Sequence, residues 1–518
     1  MAEDIWEIID NFSAGIFDGD AVTDLPSNAS LMLRNIVIKN GRYIGNRPGY
    51  EKFTLNKIIV NNVQKIITGF HQYSDGTTTT YIVTAGGKVY TYNATTATFT
   101  DTGQTYTETS ADKTVYNHFV KHYHYVVMYN GVDQPIYFDG TSWATLGNAP
   151  ICSMMEHYSG AMFANDASDK IALLFSDDYA SFTDWPASYF RDVTDSREDA
   201  VVAFRKVNDY IGGLLLSENN VYGLSGTVRS NYITLIKATN VGCVSHESFH
   251  VMNGMPIWLD EDGFYTLDEN YTPVRFYQLD NMFSSFDYAR KATAWGVVYK
   301  GWPGVSKQYL CAVTMGSGHT NNNQMFAYDY KTSGWRYDTN VPSDILTLGK
   351  DSNGRQILFG AGNDNYHVYK LYTGTSDDGE GINCAYISYP VSFKQALQIK
   401  HSDKAMKVVD RIEIWYRSKY GGNFDILVTS DFKGDTYPAT GVFESVSLEN
   451  EGSVPAQYEM ELAENESHYL KLKYANKVQF DISPLEGRFF QVRINCNDAN
   501  QDWEIYQIAL RGRVRGWA

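Results

Sequence analysis

His118, His122 and His124 fall on one face of any strand of period two, with Val120 between them. Three imidazoles on one face could hold zinc. The alternative, and the reading taken, is an outward polar face opposite Phe119, Tyr123 and Tyr125. Arg511, Arg513 and Arg515 alternate with Gly512, Val514 and Gly516 and share a face in the same way. They read either as a solvated strand edge or as a contact to acidic groups of a neighbouring subunit. Acidic clusters occur at Asp177-Asp178, at Asp260-Glu261-Asp262 and at Asp377-Asp378 with Glu380. A glycosidase needs two carboxylates placed across a sugar, and 60 acidic residues offer too many pairs to select one. No glycine-rich phosphate loop, nucleophile elbow or paired zinc spacing occurs. Cys152, Cys243, Cys311, Cys384 and Cys496 lie far apart and read as reduced packing residues. Neither enzymatic activity nor a cofactor or metal is expected.

The elements that position these residues are legible from composition. A chain of 518 residues implies two or three domains. It carries 39 Tyr, 26 Phe and 10 Trp beside 42 Gly. Aromatics suit pleated, half-buried surfaces and glycine suits tight turns, so the composition is all-β. Asp-Gly or Asn-Gly occurs nine times, which adds a hairpin signal. The net charge of −17 argues against a surface that grips nucleic acid. The acidic start Met1-Ala2-Glu3-Asp4 is unlike a signal peptide and no apolar run reaches membrane-span length, so folding in a cytoplasm is expected.

From about Asn61 one unit recurs: an apolar residue, an aromatic, one or two residues, then Asp, Asn or Ser. Its aromatic stands at Tyr90, Tyr137, Phe175, Tyr222, Tyr265, Phe326 and Tyr369, at intervals of 47, 38, 47, 43, 61 and 43 residues. Intervals near 45 match a four-stranded propeller blade. A β-propeller of about seven strand-turn repeats is therefore predicted over 61–385, in preference to a meandering sandwich. Tryptophans such as Trp143 and Trp335, just beyond the motif, should pack between blades. The long interval should hold an inserted loop or a degenerate blade, because Lys300–Gly304 and Gly316–Asn323 both read as turns. Ser176-Asp177-Asp178…Trp185 resembles the Asp-box turn of sialidase propellers, although the glycine is missing and the spacing to Trp185 is too long; it supports blades, not catalysis. Over 386–518 longer alternating strands, Arg411–Arg417, Phe424–Thr429, Tyr469–Tyr474 and Phe489–Ile494, predict a β-sandwich.

Residues Asn11–Phe53 are dense in turn and cap signals. Ser27, Asn28 and Ser30 precede Leu31, Met32 and Leu33 as a helical turn would require. Asn35–Lys39, the turn Asn40-Gly41 and Arg42–Ile44 read as a hairpin. The order of the pieces (aromatic-Ser-x-Gly, Asp-Leu-Pro, a Leu-rich turn ending Arg-Asn, Asn-Gly-Arg, Arg-Pro-Gly-Tyr) resembles the N-terminal signature of bacteriophage tail proteins. The similar group comprises the nozzle, or distal tail-tube, proteins of short-tailed phages and the packaged-DNA stabilisation proteins. The resemblance implies that the segment 1–60 joins the C-terminal strands in a sandwich platform beside the propeller. It also implies a homohexameric ring in the virion tail, assembled in the host bacterial cytoplasm, docked on a head-to-tail adaptor and contacting fibres or spikes. DNA would pass the lumen during genome ejection without specific binding. Phe12, Arg47, Arg511, Arg513 and Arg515 are then candidate assembly contacts. If this is a tube for DNA, acidic or neutral loops should line its lumen, since lysines would condense on phosphate; the three acidic clusters are the candidates. The runner-up is a carbohydrate-binding or glycan-hydrolysing propeller.

Overall fold

The repeat is a ring of seven four-stranded antiparallel blades; six are separate sheets and the sixth in chain order is one end of a ten-stranded sheet. The computed structural model describes residues 4–18, 25–110, 113–177, 182–194, 198–208, 212–226, 231–362, 365–397, 405–430, 441–448 and 476–517. Blades I to VII begin with Ile67–Ser74, His118–His122, Met155–Tyr158, Val201–Asn208, His250–Met252, Trp295–Tyr299 and Ile345–Lys350. These first strands touch their neighbours in a closed circle, the seventh returning to the first. All seven motif aromatics occupy the third strand of successive blades.

In blades I, II, V and VI the motif ends that third strand with an oxygen that caps the next turn. The side chain of Asn93 accepts from the backbone N–H groups of Thr95 and Thr96 at 2.9 and 3.1 Å. Asp139 accepts from Thr141 and Ser142, both at 2.7 Å, and Asp329 from Lys331 and Thr332 at 2.9 and 3.1 Å. Such Asx turns hand the chain to the fourth strand. Trp335 is fully buried and stacks on Phe264 of blade V at 4.7 Å, while Trp143 packs on Phe138 against the cluster shared by blades I and II. The long interval holds short helical pieces, Tyr277–Leu279, Asp280–Phe283 and Tyr288–Thr293, between blades V and VI. Blade VI is complete, and the two glycine-rich turns join its strands.

The seventh blade borrows its outer strand from the start of the chain: Tyr50–Lys52 pairs with Asn365–Leu371, Tyr369 opposite Lys52. The segment 1–60 is thus divided between the platform and the propeller. Tyr50 follows Gly49, where a Cβ would lie 1.8 Å from the Ser376 carbonyl oxygen, so no larger residue fits.

Two packed sheets form the platform. One has the order Ile36–Lys39, Tyr43–Asn46, Trp503–Trp517, Ala405–Ser418, Asn476–Gly487, with Ile5–Ile9 also on Trp503–Trp517. The other runs Gly15–Ile16, Ala29–Arg34, Cys384–Ser388, Phe490–Cys496, Gly422–Ser430, Gly441–Leu448, and continues unbroken into blade VI through Trp335–Thr339. Ile44, Ile412, Ile505 and Leu510 from the first sheet meet Phe424, Ile426, Val492 and Ile494 from the second in one core. The predicted strand Tyr469–Tyr474 lies outside the described residues.

One local expectation fails. The apolar run after Ser27 is a strand, Ala29–Arg34, not a helical turn. Gly15–Ile16 flanks it in parallel and Cys384–Ser388 antiparallel, so sheet partners on both sides override the cap signal. Gly15 has φ +71°, and a Cβ there would lie 2.5 Å from the Trp335 backbone. The hairpin is present, as Ile36–Lys39 and Tyr43–Asn46 turning at Asn40-Gly41.

Candidate functional site

Polar side chains from several first strands and from the link after blade IV meet near the propeller axis. In blade IV the run Val201–Asn208 carries Arg205. Its Nη1 lies 2.5 Å from Glu156 Oε2 of blade III and its Nη2 3.6 Å from Oε2 of Glu247, in the link from blade IV to blade V. Arg205 Nε donates to the Phe249 carbonyl at 2.6 Å. The other oxygen of Glu247 is 3.0 Å from Nδ1 of His118, the first residue of blade II. His118 lies flat on Trp295 of blade VI, ring centroids 4.7 Å apart. In a ring of seven a contact from blade II to blade VI spans the centre, so this knot occupies the axis. A cavity of about 370 Å³ adjoins it, lined in part by His118, His246, Glu247, Lys170 and Lys291.

The two glutamates respond differently. Burial pushes Glu156 up from the ordinary carboxylate range, and Arg205 offsets this only in part. Burial acts on Glu247 in the same sense, but the hydrogen bond and charge of His118, with Arg205 behind them, hold it well below. Burial pushes His250 down to about 3, although its Nε2 meets the Gly296 carbonyl at 3.0 Å. Burial likewise raises the Cys243 thiol to about 12, so it is no nucleophile at neutral pH. Both glutamates are engaged by Arg205, so the knot is built to hold blades together.

The histidine face is turned inward, contrary to expectation. His122 is fully buried among His157 and Phe182, each 4.9 Å away by ring centroid. Burial, helped by His157 and His124, moves it down to about 4. His124 is not on this strand at all, because Tyr123, at φ +54°, turns the chain first. Among the described residues no group of His, Cys, Asp or Glu is arranged to hold a metal ion.

Arg47 and Phe12 are each 1 % exposed and cannot be contacts to another copy. Phe12 packs edge-on against Tyr386. Arg47 makes a two-point pair with Asp377, at 2.8 and 2.7 Å, and its Nε donates to Asn35 Oδ1 at 3.0 Å. Beside it Arg336 pairs with Asp338, whose Oδ2 also accepts from Tyr372 Oη at 2.6 Å. This lock fastens blades VI and VII to the platform. The C-terminal arginines do not form an edge, since Trp503–Trp517 lies inside its sheet. Arg511 Nε donates to Asp410 at 2.8 Å, Arg513 Nε to Asp4 at 2.7 Å, and Arg515 pairs with Glu486. Their acidic partners belong to the same chain.

The acidic loops are largely neutralised where they stand. Asp260 is buried and accepts from the backbone N–H of Gly242 at 3.0 Å. Glu261 pairs with Lys291, Asp262 with Arg275 at 3.4 Å, and Asp378 with Lys52 at 2.5 Å. Glu380 is exposed, whereas Asp177 is half-buried just after the third strand of blade III, its N–H donating to the Asp184 carbonyl. Asp178 lies outside the described residues. Arg205, Glu156 and Glu247 went unnoticed in the sequence; the signal for them is a charge within a strand that must be buried.

No protein-family model matches the chain, and no curated protein matches it. Among solved structures it is similar to YCF48 from Cyanidioschyzon merolae, at 11 % identity and TM-score 0.37, over 62 % of this chain and 98 % of that one. It is also similar to the extracellular domain of the putative one component system BT4673 from B. thetaiotaomicron, at 10 % identity and TM-score 0.36, over 76 % and 48 %. A third is Hsv2 from Kluyvelomyces marxianus, at 8 % identity and TM-score 0.31, over 59 % and 91 %. At these scores the likeness assigns no function, and the fold rests on the strand pairing described above.

Proposed function

We propose that this chain is a structural protein of a bacteriophage virion, the nozzle or distal tube of a short tail, working as a ring and not as an enzyme. The observation that carries the reading is the use made of Asn11–Phe53, the stretch that bears the resemblance. Its marked residues each hold a junction: Gly15 against Trp335, Arg47 in the lock, Gly49 against Ser376, and Tyr50–Lys52 as the last strand of the propeller. A segment used this way ties both chain ends and the blades into one body, which suits a structural part of a particle. The hexameric state, the adaptor, the fibres or spikes, and DNA conducted without specific binding are proposed with it. Because the knot lies across the propeller axis, the bore in this reading lies between copies. Glu261, Asp262, Asp378 and Glu380 remain as solvent-facing groups for its wall; buried Asp260 and Asp377 do not. Electron micrographs of the purified protein are expected to show a ring with an axial hole. A compact monomer at all concentrations would sink the ring reading and return the glycan-binding propeller.

A further inference from the structure

A second cavity, of about 730 Å³, opens where the first strands of blades I, II, VI and VII end. Lys121 in the first strand of blade II, Lys300 just after the first strand of blade VI and Lys350 at the end of the first strand of blade VII all line it. Several lysines elsewhere in this acidic chain are neutralised, as Lys52 is by Asp378, Lys88 by Asp101 and Lys370 by Glu51. Among the described residues no carboxylate lies within ion-pair distance of Lys121, Lys300 or Lys350. Their backbones are nevertheless pinned. Lys300 N–H donates to Gln356 Oε1 at 2.8 Å. Gln72 clamps Lys350 from both sides, accepting from its N–H at 2.5 Å and donating to its carbonyl at 2.8 Å. That clamp is also the seam where blade VII meets blade I. The ammonium groups therefore start from fixed points and end without a partner.

Two carboxylates share the lining, and both are taken up by their own turns. Asp75 accepts from the N–H and hydroxyl of Thr77 and of Thr78. Asp351 accepts from the N–H groups of Asn353 and Arg355, both at 2.8 Å. His71 adds no charge: burial, with Lys121 nearby, pushes it down to about 4. Three ammonium groups against two carboxylates leave the cavity wall with a net formal charge of +1, on a chain whose formal charge is −17. Its volume lies within the range of small-molecule pockets.

We propose that this mouth of the propeller binds a small polyanion, a molecule bearing phosphate or carboxylate groups, held by Lys121, Lys300 and Lys350. The site needs one copy of the chain and is independent of ring formation. The test is calorimetric titration of the full chain with inorganic tripolyphosphate and, separately, with citrate. Saturable one-to-one binding of at least one probe is expected, weakened at least tenfold in Lys121→Gln/Lys350→Gln and unchanged in Lys331→Gln, an exposed lysine elsewhere. Which probe binds separates phosphate from carboxylate recognition. Absence of binding by both, equal affinity in the double variant, or an equal loss in Lys331→Gln would each overturn the proposal. The substituted lysines are exposed, so far-ultraviolet circular dichroism should show an unchanged fold.

Discussion

The lock under the platform sets two guanidiniums, Arg47 and Arg336, against two carboxylates, Asp338 and Asp377, all with side chains at most 7 % exposed. The knot on the propeller axis sets the one guanidinium of Arg205 against Glu156 and Glu247, with side chains 13–20 % exposed beside a cavity. The lock is dry and balances its charge without any histidine. The knot is wetter, carries a surplus carboxylate and draws on His118. Desolvation makes a buried pair expensive to break from one side, so the drier cluster should dominate stability. The titratable cluster should dominate the response to acid.

The heaviest blow to the lock is removal of residues 1–53. That deletes Arg47, the strand Tyr50–Lys52 and the buried Phe12, Ile16, Ile36 and Ile44 together. Each large side chain is worth about 1.5–3 kcal/mol, so no folded, soluble product is expected by size-exclusion chromatography and circular dichroism. A soluble, normally assembled particle would break the comparison outright. The next largest effect is Arg47→Met, which strands Asp377 and should cost about 3–5 kcal/mol in urea unfolding. Adding Asp377→Leu should restore most of it. A loss below about 1 kcal/mol would show that the lock is not dry in solution.

The acid response follows from the buried imidazoles. His122 and His250 are held down to about 4 and about 3, so they stay neutral in the fold while the unfolded chain protonates them below about 6.5. The unfolded state then binds more protons, and stability falls as pH drops from about 6.5 toward those values, by about 1.4 kcal/mol per pH unit for each histidine. Glu247, held low, adds a loss of the same sign further into acid, whereas Glu156, raised, opposes it. His250→Gln should flatten the slope between pH 6.5 and 5 by roughly one proton's worth. An unchanged slope would remove His250, on which Arg205 and Glu247 of the knot act, from the acid response. Last is Arg205→Met, expected to cost about 1.5–3 kcal/mol at neutral pH because water reaches the knot. A loss exceeding that of Arg47→Met would invert the ranking.

The order of residues by itself carries what neighbours along the chain enforce. The seven aromatics marked seven third strands because alternation and the Asp or Asn turn that follows are chemistry within a few residues, as at Tyr137 and Asp139. The Asn40-Gly41 hairpin was legible for the same reason. Leu31–Leu33 misled because a cap signal is local, whereas the sheet that claims those residues is assembled from position 15 and positions 384–388. The histidine face misled because period two states which residues share a face, and only the neighbouring blade decides whether it looks inward. Arg47 meets Asp377 across 330 residues, and Arg205 meets Glu156 across 49. Such pairs leave no spacing in the chain. Strand, turn and the repeated motif are short-range properties and were present in the order of residues, whereas the blade count follows from how the first strands close into a ring. Which charges are buried, which pair and which are left facing a cavity are set by the closing of the ring, which brings together side chains with no sequence relation.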